Sequence, residues 1–79
     1  MELDTWLRKN GISANQVAYG IGVSPMTVSF WRRGRSIPRG GNLKSVVALT
    51  GSEVTEADFA RARGRWLKRR DALNGGAAA

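Results

Sequence analysis

Arg33, Arg35 and Arg39 stand within seven residues of one another, and Ser29 and Met26 precede Arg33 by four and seven residues. A guanidinium stays charged at any physiological pH and presents a planar fork of N–H donors, which matches a phosphate or the O6/N7 edge of guanine. A hydroxyl donates or accepts, and an apolar side chain such as Met or Phe suits a thymine methyl group. These are recognition groups, not catalysts. The chain has no Cys and no His, which excludes a thiol nucleophile, an imidazole base, a Cys/His zinc site and a disulfide framework. The six carboxylates form no paired motif. An enzyme is not expected, nor is a cofactor, a metal or a small-molecule ligand.

The charge distribution points to a polyanion. Thirteen Lys and Arg oppose six Asp and Glu, a net charge of +7 with a pI near 11.4. Between Asp4 and Glu53 there is no acid, whereas Arg8, Lys9, Arg32, Arg33, Arg35, Arg39 and Lys44 all fall there. A second cluster, Arg61 to Arg70, carries six positive charges and no negative one. Clustered Arg in a domain of such high pI is the electrostatic footprint of nucleic-acid binding. The bland alternative is a basic, soluble surface with no partner.

With 79 residues the chain is one domain with a small core. At 42% hydrophobic and 24% charged it is too apolar to be disordered throughout. The longest apolar run, Val46 to Leu49, is far short of the roughly 20 residues a membrane helix needs. The acidic N-terminus, Met1-Glu2-Leu3-Asp4, has no apolar segment and does not read as a signal peptide. Lack of Cys suits a reducing compartment, so a cytoplasmic location is expected.

Short helices must position the recognition groups. Leu3, Trp6 and Leu7 form one apolar stripe over about 2–10, with Gly11 as a stop. Ser13 is an N-cap for a helix reaching about Gly20, with Val17, Ala18 and Ile21 inward. Ser24 caps a third helix that has Pro25 at its first position and ends at Gly34. A fourth runs from Gly41 or Asn42 to Thr50, with Leu43, Val46, Val47 and Thr50 inward. Thr55-Glu56-Ala57-Asp58 resembles a capping box with Asp in place of the usual Glu or Gln, and opens a fifth helix that extends to about Leu73 across Gly64. No period-two segment predicts a strand. The expected organisation is a DNA-binding domain over 1–60, a basic helical extension over 61–73 and a flexible tail over 74–79.

The second and third helices, joined by Ile21-Gly22-Val23, make a helix-turn-helix unit. Ala18 is small enough for close approach of the two helices, Gly22 suits a sharp turn, and Val23 and Val28 fill the space between. On a helical wheel Thr27, Val28 and Trp31 share the core sector. The opposite sector centres on Ser29 and Arg33, with Met26 beside them and Pro25 and Phe30 at its margins. These five residues are the candidates for reading base edges. Ser13, Asn15 and Gln16, at the start of the second helix, and Arg32, Arg35 and Arg39, at the end of the third helix and in the loop beyond, are the candidates for phosphate contact. Capping alone explains Ser13 equally well, and Ile37 and Pro38 are expected to anchor the loop to the core.

The pattern Val17-Ala18-x-x-Ile21-Gly22-Val23-Ser24-x-x-Thr27-Val28-x-x-Trp31-x-x-Gly34-Arg35-x-Ile37-Pro38 resembles the Cro/CI-type helix-turn-helix family of phage repressors and related bacterial regulators. The later Leu49-Thr50-Gly51-x-x-Val54-Thr55-x-x-Asp58-Phe59 is similar to the end of that domain in its small Cro-like or antitoxin-like members. The resemblance covers about residues 3 to 60. It implies an all-α, lambda-repressor-like bundle of four or five helices that binds double-stranded operator DNA, commonly as a homodimer, in the bacterial nucleoid or a phage-infected cell. Two features depart from the family. Pro25-Met26 opens the recognition helix where Gln, Asn or Ser is frequent, and Arg32 stands where many members carry Glu.

The fifth helix carries Phe59, Ala62, Trp66, Leu67 and Leu73 near one face and Arg61, Arg65, Lys68 and Arg69 mostly elsewhere. Three roles are open to its distal part: a frayed extension beyond Phe59, a dimer contact through Trp66 and Leu67, or additional phosphate binding. The alternative functions are an antitoxin-type regulator whose last helix holds a protein partner, and a protein- or RNA-interaction module using Phe30 and Trp66 as stacking platforms.

Overall fold

The computed structural model describes the backbone of residues 1–78 and the side chains of residues 1–73. The chain folds into five helices, α1 (Leu3–Asn10), α2 (Ala14–Ile21), α3 (Pro25–Arg33), α4 (Gly41–Leu49) and α5 (Glu56–Ala78). No strand occurs among the described residues. The architecture is the all-α bundle expected, and it has the larger of the two helix counts.

Local side-chain hydrogen bonds start α2, α3 and α5. The Ser13 hydroxyl accepts from the Gln16 backbone N–H at 3.1 Å, and the Gln16 side chain accepts from the Ser13 N–H at 2.8 Å, a reciprocal box that starts α2. The Ser24 hydroxyl accepts from the Thr27 N–H at 3.2 Å and starts α3. Thr27, expected in the core, is only half-buried, because its hydroxyl turns back to Ser24 at 2.8 Å. Thr55 caps α5, with the Asp58 carboxylate accepting from its N–H at 2.9 Å and from its hydroxyl at 3.1 Å. Val54 and Phe59, either side of that cap, are both buried, as in a hydrophobic staple.

The core gathers Leu3, Trp6, Leu7, Val17, Ala18, Val28, Trp31, Val46, Val54 and Phe59. All five helices or their caps contribute, so the helix-turn-helix unit is braced from behind by α1, α4 and α5. Trp6 places its indole N–H on Glu53 at 2.8 Å. Buried Thr50 bonds the Val46 carbonyl at 2.9 Å and accepts from the Val54 N–H at 3.2 Å, which shapes the turn between α4 and α5. The N-terminal amino group reaches the Asp58 carboxylate at 2.9 Å and the Glu53 carbonyl at 2.7 Å.

Helix α5 continues through Gly64 to Ala78 without a break. The tail expected over 74–79 falls, in its side chains and in Ala79, outside the described residues.

Candidate nucleic-acid interface

The turn between α2 and α3 depends on Gly22, whose φ is +87°. Its N–H and that of Val23 donate to the Ala18 carbonyl at 2.8 and 3.0 Å, which folds the chain back sharply. A Cβ at Gly22 would meet nothing within 4 Å, so the glycine serves backbone conformation there and not close packing. The close packing belongs to Ala18, which is buried in the core beneath the turn.

Helix α3 has the two-sidedness its sequence predicts. Val28 and Trp31 are 0% and 3% exposed. Met26 is 65% exposed, Pro25 and Arg33 are exposed, and Ser29 and Phe30 are half-buried. The helix therefore offers Pro25, Met26, Ser29 and Arg33 along its outer side, with no acid among them. Phe30 lies at the margin, where the Arg35 guanidinium stacks over its ring at 4.4 Å from the centroid. The Arg35 N–H donates to the Phe30 carbonyl at 3.0 Å, which ties the start of the loop to α3. Beyond it Ile37 packs against the core and Pro38 is buried, so Arg35 and Arg39 project from an anchored loop.

The six phosphate candidates fall into three environments. Arg35 and Arg39 are exposed and, among the described residues, form no ion pair. Ser13 and Gln16 are engaged in the α2 capping box, and Asn15 is exposed beside them. Arg32 is different. Its Nε and Nη2 donate to one Asp4 oxygen at 2.8 and 2.6 Å, and Arg8 approaches the other oxygen at 3.1 Å. Arg32 is half-buried between α1 and α3, and its charge is matched by an internal partner.

A basic cleft of about 700 Å³ opens beside the outer side of α3. Ser29, Arg32 and Arg33 form one wall, Asp4 and Arg8 the floor near α1, and Arg65, Trp66, Arg69, Arg70 and Leu73 of α5 the opposite wall. The Arg63 and Arg70 guanidiniums lie over the Trp66 ring at 5.4 and 5.3 Å. Glu2 accepts from Arg65 at 2.6 Å, and that hydrogen bond holds its carboxyl below the usual carboxylate range. Burial pushes the Asp58 carboxyl up, but hydrogen bonds from the N-terminal amino group and from Thr55 outweigh it and bring it below its ordinary value.

Sequence reasoning placed the α3 face but missed the Asp4–Arg32 pair and the cleft, both of which join residues distant in the chain. It also passed over Tyr19, which is 93% exposed on α2; an aromatic residue off the apolar stripe of that helix was the available signal.

Among the described residues there is no cluster able to hold a metal ion and no helix long and apolar enough to cross a membrane. Comparison with curated proteins and with solved structures gives no significant match. The helix-turn-helix family model, by contrast, matches residues 5–56, which takes in most of α1, all of α2 to α4 and the first residue of α5. Together with the exposed outer side of α3 and the buried Val28 and Trp31 behind it, this match shows that the chain belongs to the Cro/CI-type helix-turn-helix family of DNA-binding regulators.

Proposed function

We propose that the protein is a Cro-like repressor that acts by occupying its operator. The observation that carries this reading is the two-sided α3: an outer side with Met26 and Arg33 open to solvent, set on a helix whose Trp31 is locked into the core. Such a helix enters the major groove as a rigid unit. Pro25, Met26, Ser29 and Arg33 then face base edges, Arg33 as the fork for a guanine and Met26 as the apolar contact for a thymine methyl. Phe30, at the margin, carries Arg35 toward the backbone. Arg35, Arg39, Asn15 and the α2 N-terminus hold phosphates and set register. Arg32 acts from behind, through Asp4, by fixing the end of α3 against α1.

One module of this kind buries about 600–1,000 Å² on DNA, too little for high specificity alone. A homodimer on half-sites about 34 Å apart supplies the rest. Trp66 and Leu67, both half-buried on α5, are the proposed dimer contact; because arginines flank the Trp66 ring, Leu67 carries its apolar part. Bound dimer blocks access of polymerase to the promoter.

In vitro selection of duplexes by the full chain tests this reading. The expected product is an enriched palindrome whose half-site centres lie one helical turn apart. Selection that enriches no sequence overturns operator recognition, and an enriched single half-site overturns the dimer.

A further inference from the structure

The cleft between α3 and α5 is lined by six arginines and a single carboxylate, that of Asp4. Of the arginines around it, Arg32 and Arg8 share Asp4, and Arg65 is held by both Glu2 oxygens. Arg32 and Arg65 tie α3 and α5 to α1 and the residue before it, while Arg8 pairs with Asp4 within α1. Arg33 and Arg69 have no carboxylate partner among the described residues, and Arg70 has only its exposed neighbour Asp71 at 3.9 Å. The Arg70 guanidinium is instead steadied over the Trp66 ring. Like charges converge at one opening, and a docked anion is what would relieve their repulsion.

The position of the opening identifies the anion. Ser29 and Arg33 belong both to the outer side of α3 and to the cleft wall, so the cleft is continuous with the proposed reading face. A duplex seated on α3 brings a sugar–phosphate strand along each edge of its major groove. The loop carrying Arg35 and Arg39 follows the C-terminal end of α3, and the distal part of α5 lies alongside Ser29 and Arg33.

We propose that Arg69 and Arg70 of α5, across the cleft from the base-reading Arg33, form a second phosphate-binding edge that clamps the DNA backbone beside the recognition helix. The inference rests on the DNA-binding reading above and extends it: the helix that closes the core with Phe59 also lengthens the DNA footprint with its distal half.

The test compares the full chain with R69Q/R70Q on the selected duplex, measuring affinity from low to high salt and the hydroxyl-radical footprint. Both side chains are exposed, so the fold is expected to persist, which circular dichroism checks. The double variant is expected to lower the salt slope by about 1.8, the value for two lost phosphate contacts, without changing base preference. It is also expected to lose backbone protection at one flank of the footprint. An unchanged slope with an unchanged footprint overturns the clamp while leaving the DNA-binding reading intact. Tighter binding overturns it too, and shows that α5 shields the reading face. Failure of the unaltered chain to bind any duplex in a salt-dependent manner, or a preference for single-stranded RNA, overturns both.

Discussion

Gly34 lies directly against the main chain of Ala62, where α3 ends and α5 crosses it. A methyl group on the Gly34 Cα would overlap the Ala62 carbonyl and stand 2.9 Å from the Arg63 nitrogen. Gly34 also has φ of +81°, and its N–H closes the last turn of α3 on Phe30 and Trp31. One residue therefore ends the recognition helix and admits α5 against it.

Replacement of Gly34 by Ala meets two penalties. The left-handed backbone costs about 1–2 kcal/mol, and overlap with backbone that cannot swing aside adds about 1–3 kcal/mol. Gly22→Ala meets only the first, since the space at its Cα is open. Urea unfolding of the two variants is expected to show the larger loss at Gly34; equal losses would mean that α5 yields at no cost.

Arg32 and Arg35 are three residues apart and are expected to respond in opposite ways. Arg35→Ala weakens duplex binding across all sequences and lowers the salt slope by about 0.9, for one phosphate. Arg32→Gln removes the nearer of the two arginine partners of Asp4, at 2.6 Å, lowers the melting temperature for a loss of at most about 1 kcal/mol, and leaves the slope unchanged. A changed slope in Arg32→Gln would place its guanidinium on the DNA.

Substitutions at Ser29 and Arg33 are expected to alter which operator is preferred. Loss of a bidentate Arg–guanine contact costs about 1–3 kcal/mol at one base position and relaxes selectivity there. Repeating the in vitro selection with Arg33→Gln reads this directly. A uniform loss of affinity with the same preferred sequence would assign Arg33 to the backbone.

Stability is expected to fall in acid through Asp58 and Glu2. Both carboxyls titrate lower in the folded chain than their ordinary values of 3.8 and 4.5. A depressed folded value means the unfolded chain takes up protons first as the pH drops. The stabilisation is thus complete above about pH 4.5 and is lost as the pH falls through the folded values. Asp58→Asn should lower stability at neutral pH and flatten the acid limb of the stability curve. An acid limb as steep as that of the unaltered chain would place the dependence elsewhere.

Much of this protein is local in origin and was legible along the chain. Ser13 and Ser24 as caps, Pro25 at the first turn, Gly22 and Gly34 at the turns, and the apolar spacing of Val17, Ala18, Val28 and Trp31 are decided by neighbours within one or two turns. The reach of such interactions is a few residues, so α1 to α4 and the outward side of α3 follow from spacing alone.

Only the tertiary structure decided what the arginines face. A guanidinium looks the same in a sequence whether it ends in solvent or on a carboxylate 28 residues away, as Arg32 does on Asp4. Likewise the close passage of α5 over Gly34, and the basic cleft it creates with Ser29 and Arg33, join segments remote in the chain. Charge interactions and backbone approach depend on distance in space, and that distance is set when the core of Leu7, Val28, Trp31 and Phe59 closes.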